Sequence, residues 1–133
     1  MPTEPQEYDL AGQVIGCAMT VHCELGHGFN ENVYKQALAI ELTEHNFSVE
    51  IEKQVKVFYK GHEVGEYYAD LLVNDSLVLE LKSVQALCEA HEIQLVNYLT
   101  ATSLEEGLLL NFGSPSLQFK KKFKTFRPRK PLK

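Results

Sequence analysis

The chain lacks any apolar run near the ~20 residues that cross a bilayer, so a membrane-spanning role is not expected. Cysteine is scarce. Cys17, Cys23 and Cys88 are odd in number and not spaced as a framework, which points to reduced thiols in a reducing compartment rather than a disulfide scaffold. A zinc site built from Cys17, His22, Cys23 and His27 is disfavoured, because residues five apart on a helix point in different directions. The opening MPTEPQEYDL has neither the basic nor the apolar region of a signal peptide, so a cytoplasmic location is the expectation. Repeats, linkers and low-complexity segments are absent up to residue 119.

Cations are the scarcest charge in most of the chain. Residues 120–133, KKKFKTFRPRKPLK, hold eight of the thirteen Lys and Arg and none of the eighteen acids. That leaves five basic against eighteen acidic groups in residues 1–119. The division implies one domain over 1–119, long enough for a real core, and a basic tail over 120–133, expected to be partly disordered. The tail either solubilises the chain end or grips phosphates through Lys120, Lys121, Lys122, Lys124 and Arg127, with Phe123 and Phe126 placed to stack on bases. An acidic body argues against broad, non-specific affinity for nucleic acid.

What is present reads as alternating helical and strand patterns. Residues 9–25 carry apolar positions at helical spacing, with Asp9 as N-cap and Gly26 as stop. After Gly26-His27-Gly28, Asn30 caps a second helix over residues 31–45, where Glu31 and Tyr34 lie on adjacent parts of one face. From Phe47 the pattern alternates, which places Val49, Ile51, Val55, Val57 and Tyr59 on one side of a strand. Residues 86–101 return to helical spacing, with Gln94 and Tyr98 as an i, i+4 pair among Leu87, Ala90, Leu95 and Leu99. Residues 107–112 form a strand buried on both faces, and 117–123 a last edge strand. A helix between strands permits a parallel neighbour, so the sheet is expected to be mixed.

The centre of the pattern is EYYADLLVNDSLVLELKS, residues 66–83. Two apolar arms flank the turn formers Asn74-Asp75-Ser76, which is a hairpin signature. Centring the hairpin on Asp75 places Asp70 opposite Glu80, and alternation puts Lys82 on the face of Glu80. Opposed like charges on one face are destabilising, and a divalent cation between them removes the repulsion. A solvated outer face on an edge hairpin accounts for the same residues, and one slip of register separates the pair.

Several pieces in order match one family. Gly28 to Tyr34 reads G-x-x-E-x-x-Y, preceded by Val21-His22 and Leu25-Gly26 and followed by Ala37-Leu38-Ala39 and Glu41-Leu42. Then come Ala69-Asp70-Leu71-Leu72-Val73, Glu80-Leu81-Lys82, His91-Glu92-x-Gln94-Leu95-x-Asn97-Tyr98-Leu99 and Leu110-Asn111-Phe112-Gly113. The chain resembles the GxxExxY family, placed in the PD-(D/E)xK nuclease superfamily. Two departures are Ala69, where the superfamily pattern has Pro, and His27, where a Pro is expected in the turn.

The resemblance implies an α/β (α+β) restriction-endonuclease-like core, a mixed β-sheet flanked by helices. It implies a nuclease that hydrolyses nucleic acid, DNA first, with Mg2+ or Mn2+. Asp70 and Glu80 would be the metal carboxylates, joined by the Leu81 carbonyl and by Glu31. Lys82 would be the catalytic lysine, Gln94 and Tyr98 would orient it or the phosphate, and His22 would stand near as an accessory. Two other functions remain open at this stage. One is a non-catalytic nucleic-acid-binding or regulatory domain with the same fold. The other is an interaction module whose tail binds an acidic protein partner; a homodimer is compatible with each.

Overall fold

The computed structural model describes residues 10–124. Two helices, α1 (Leu10–Leu25) and α2 (Glu31–Glu44), precede three strands, β1 (Val49–Tyr59), β2 (His62–Val73) and β3 (Leu77–Lys82). Helix α3 (Glu89–Thr100) and strands β4 (Glu106–Asn111) and β5 (Gln118–Phe123) follow. Asp9, expected as the first N-cap, lies outside the described residues. Asn30 does cap α2, its side chain accepting the Val33 N–H at 3.2 Å. Among the described residues no helix is long and apolar enough to cross a membrane.

The sheet runs in order β1-β2-β3-β4-β5, parallel only between β3 and β4. The single helix between those strands supplies the crossover a parallel pair requires, so the mixed sheet follows from the element order. Two of the three inner strands, β3 and β4, carry residues buried on both faces, as the apolar run at residues 107–112 suggests. One core lies between the sheet and α1 and α2, built on Val14, Leu38, Leu71, Leu79, Leu81 and Phe112. The other lies under α3, on Ala69, Leu72, Val78, Leu95, Leu99 and Leu109. The chain is thus three-layered, helices covering both faces of the sheet.

Both hairpin turns use left-handed backbone at two successive residues, Lys60-Gly61 and Asn74-Asp75. Such turns match the twist of the strands they join. Asn74 also accepts the Ser48 N–H through its side chain at 2.9 Å, tying the turn to the start of β1.

Two expectations need correction. The apolar residues of β1 do not share one side: Val49 packs into the core under α1 and α2, and Val55 into the core under α3. The same change of side occurs in β2 between Leu71 and Ala69. Both changes bracket Glu52, whose φ of 55° breaks the extended backbone. The third helix starts at Glu89 rather than 86, because the segment before it is held by the end of β4 and the start of β5. Asn111, fully buried, accepts the Val84 N–H and donates to the Val84 carbonyl, and Gln118 accepts the Leu87 N–H.

The expected tail begins in the sheet. Strand β5 takes in Lys120 to Phe123, and Lys124 closes it with an N–H donated to the Glu105 carbonyl.

Gly113 shows how tightly the β3 exit is bound. A Cβ there would lie 2.3 Å from the Val84 nitrogen and 2.4 Å from its oxygen. Gly113→Ala is therefore expected to destabilise the fold by about 3 kcal/mol, since backbone on both sides must move. Gly16→Ala, in α1 with open space at the Cβ, should instead stabilise by about 0.5–1 kcal/mol. Urea denaturation of the two variants checks both signs.

Candidate active site

The β2–β3 ladder runs Val73↔Leu77, Leu72↔Val78, Leu71↔Leu79 and then stops. Its register places Asp70 opposite Glu80, as the hairpin count predicts. In place of ladder bonds, each carboxylate takes the other strand's backbone. Asp70 Oδ2 accepts the Leu81 N–H at 2.8 Å, and Glu80 Oε1 accepts the Asp70 N–H at 3.4 Å. The two carboxylates are thereby held together in a fork between parting strands. The Leu81 carbonyl leaves its strand on the side of its N–H, and so points into the same gap.

The charges are uncomfortable there. Burial, and next the charge of Asp70, push Glu80 up to about 7. Burial also raises Asp70, against the pull of the Leu81 N–H and of Lys35. Glu31 opens α2 and adds repulsion to both, whereas Lys82 draws both down. The structure thus brings Asp70, Glu80, Lys82 and Glu31 into one electrostatic neighbourhood. The Lys82 ammonium makes no ion pair among the described residues, which leaves it available to a phosphate.

Helix α3 covers the fork on one side. Tyr98 is 3% exposed, and its buried hydroxyl has no hydrogen-bond partner among the described residues. Its ring lies 5.8 Å from that of Tyr67 on the arm of β2. Burial and the Glu80 charge push the phenol up to about 12, so it stays a donor at neutral pH. An orphaned buried donor beside a carboxylate fork is costly unless something bound there accepts it. Gln94, one turn earlier, is exposed and forms no hydrogen bond to the fork.

Several other expected residues are engaged with partners within the chain. His22 Nε2 bonds the Ser114 carbonyl at 3.0 Å and its ring leans on Phe112, so it braces the β4–β5 loop. Lys122 pairs with Glu92 at 2.8 Å, Lys121 with Glu106 at 3.5 Å, and Lys124 donates to the Thr102 carbonyl. Lys120 lies near enough to Glu92 to lower its carboxyl. Arg127 falls outside the described residues. Tyr34, the motif tyrosine, is a peg: its hydroxyl donates to Gly26 O at 2.6 Å and accepts from Phe29 N, and its ring stacks 4.6 Å from Phe112. That fixes the loop from which Glu31 starts.

Two residues at the fork had no place in the sequence reading. Lys35 Nζ stands 3.9 Å from Asp70 Oδ1 and 2.7 Å from Glu52 Oε2. Lys35 follows Glu31 by four, the spacing that puts side chains on one helix face, so a signal existed. Glu52 lies opposite Asp70 between Ile51↔Leu71 and Lys53↔Ala69, where the ladder skips. A left-handed glutamate costs on the order of 1–3 kcal/mol, and nothing local in the sequence announces it.

A family model of the PD-(D/E)XK nuclease superfamily matches residues 8–125. The chain belongs to that superfamily. Its nucleases typically use divalent metal ions. Among curated proteins none matches this chain. The solved structure of SSO0001 is similar in fold, with a TM-score of 0.57 at 19% identity over 73% of this chain. The match takes in 52% of that protein, so this PD-(D/E)XK chain spans about half of its length.

Do the residues present fit a divalent ion? No three His, Cys, Asp or Glu side chains converge on a common point among the described residues. Magnesium, however, keeps much of its water and asks for only one or two carboxylates. A half-buried pair of carboxylates with raised proton affinity, beside an open carbonyl, is an oxygen-only donor set of that kind. The fit is to a hydrated hard cation, not to zinc or copper.

The raised Glu80 makes a test. Its ordinary value is 4.5 and its folded value about 7, so between these the folded state holds the extra proton. The Glu80 contribution to metal-free stability should thus be full below about 4.5 and be lost as pH rises through 7. Glu80→Gln keeps the acceptor for the Asp70 N–H and should remove most of that fall, melting above the wild type at pH 8. Thermal melts in chelator across pH 4.5–8 measure it; parallel curves would show that Glu80 ionises normally.

Proposed function

We propose that the chain is a metal-dependent nuclease of the GxxExxY group, hydrolysing a phosphodiester bond of DNA at the Asp70–Glu80 fork. The observation that carries this reading is the reciprocal capping of Asp70 and Glu80. It replaces ladder bonds and keeps two half-buried carboxylates adjacent despite their repulsion. A fold seeking stability alone would continue the ladder and point these side chains to water.

Asp70 and Glu80, with the Leu81 carbonyl and Glu31, would hold Mg2+ or Mn2+. When bound, such an ion would supply positive charge and Lewis acidity at the scissile phosphate. Lys82 sets an ammonium beside the phosphate and attacking water, countering negative charge as it grows. Tyr98 donates its unpartnered hydroxyl toward a phosphate oxygen or ordered water, and Gln94 approaches the same group from the exposed turn before it. Burial on the α3 side raises the effect of each charge by keeping bulk water away. The run from Lys120, continuing to Arg127, contributes to the hold on the nucleic-acid backbone.

A second reading is a nucleic-acid-binding domain that does not turn over. The observation in favour of such a domain, in a regulatory role, is the acidic body, which suits a weak and selective hold; the engagement of Lys121, Lys122 and Lys124 within the chain weakens the backbone grip in either reading.

Incubation with single- and double-stranded DNA in Mg2+ or Mn2+ separates the two. Lys82→Ala should lower cleavage at least ~100-fold, as loss of a transition-state charge contact does, while leaving DNA binding within a few-fold. Binding without cleavage by the wild type in both metals would sink the nuclease reading and leave the binding domain.

A further inference from the structure

Residues 1–119 contain five lysines, and two of them, Lys35 and Lys82, act on the same carboxylate. Lys53 pairs with Glu50, Lys56 with Glu63, and Lys60 lies over the Tyr59 ring. The hydrolysis described above uses Lys82 and gives Lys35 nothing to do. Yet the Lys35 side chain is only 12% exposed and reaches two acids from different strands. It hydrogen-bonds Glu52 at 2.7 Å and stays 3.9 Å from Asp70.

Glu52 supplies an independent observation. Its φ of 55° is left-handed backbone that a glutamate seldom adopts, and it occurs at the one position of β1 facing Asp70. An unstrained strand would continue its alternation through this point. The kink breaks it, and the carboxylate it carries meets Lys35. Strain that persists beside a carboxylate fork is a mark of a functional position.

We propose that Lys35 and Glu52 belong to the site as a tethered cation and its holder, and that their pairing sets how tightly Asp70 and Glu80 take a divalent cation. The inference rests on the metal-binding reading of the fork and extends it. An ammonium beside Asp70 and a metal ion on Asp70 repel each other. Glu52 gives Lys35 a place to go, so the ion displaces the ammonium sideways instead of expelling it into water. Without the ion, Lys35 moderates the repulsion among Asp70, Glu31 and Glu80. Lys35 is thus a positioning residue, acting through Asp70, and Glu52 acts through Lys35.

Calorimetric titration with Mn2+ alone tests this on the intact protein, with no reaction needed. Lys35→Met should bind Mn2+ about tenfold more tightly, because the competing charge is gone, and should melt lower without metal. Glu52→Gln should bind it about tenfold more weakly, because Lys35 is then left to Asp70. Lys35→Arg should stay near the wild type. The deciding variant is the double one. If Glu52 works through Lys35, then Lys35→Met with Glu52→Gln behaves like Lys35→Met alone. Additive effects that return the double variant to wild-type affinity would mean ordinary long-range charge and overturn the proposal. So would affinities that ignore all the substitutions. An absence of Mn2+ binding in both wild type and Lys35→Met would overturn the metal site along with it, an outcome distinct from additivity. Should Lys35→Met not fold, Glu52→Gln and Lys35→Arg still oppose each other: equal affinities in these two also overturn the inference.

Discussion

The bond on which the rest depends runs from the Leu81 N–H to Asp70 Oδ2. It takes the place of the next rung between β2 and β3, and with it the two strands part. Had the ladder continued past Leu71↔Leu79, the Leu81 backbone would face a paired strand. With the rung replaced by a side chain, the donor is satisfied while the neighbouring carbonyl stays open. Glu80 does the same for Asp70, so neither amide is left unpaired in the fork. The arrangement accepts electrostatic strain: two carboxylates sit in partly buried surroundings that favour their protonated forms.

That strain persists because the surroundings of the fork are over-determined. Tyr34 is bonded to Gly26 and Phe29 and stacked on Phe112, which fixes the loop before α2. Ser83, just beyond Lys82, donates to the Phe29 carbonyl at 2.6 Å and ties the end of β3 to that loop. Asn111 braces the next residue from the opposite side, through the Val84 N–H and carbonyl and the Gly113 N–H. The loop before α2 and the end of β4 therefore hold Ser83 and Val84, directly beyond the three residues from Glu80 to Lys82. The distal β1–β2 arm contributes differently. The kink at Glu52 turns its inner side toward α3, where Tyr67 lies over Tyr98 and helps bury the phenol beside Glu80.

The central hairpin was legible because its turn is local chemistry. Asn74 and Asp75 both adopt left-handed backbone, which these residues tolerate, so the turn could be centred and the Asp70–Glu80 register counted from it. The superfamily was legible for a different reason: its motifs are spread through the elements that meet at the fork. What escaped was tertiary. No composition signal marks Glu52 for a positive φ, and strict alternation therefore misplaced Val55. The start of α3 is decided by Asn111 and Gln118, residues more than twenty positions away, so helical spacing alone extended it too far. His22 carried a pattern match, yet its ring bonds the Ser114 carbonyl. The lysines of β5 looked like a free grip in sequence, but a strand edge set against α3 and β4 gives most of them acidic or carbonyl partners.

The balance of charge at the proposed site gives these pieces a common sense. Glu31, Glu52, Asp70 and Glu80 face Lys35 and Lys82, which leaves two negative charges in excess when every acid is ionised. The proton that Glu80 retains up to about 7 removes part of that excess in the free protein. One divalent cation removes all of it. Under the proposed function, a polyanionic substrate approaching an acidic body would otherwise meet repulsion at the fork. Neutralising the fork locally, beside a Lys82 that makes no ion pair among the described residues, would let the proposed site accept a phosphate. The scarcity of lysine elsewhere in residues 1–119 then favours substrate held at the fork over substrate spread across the acidic surface.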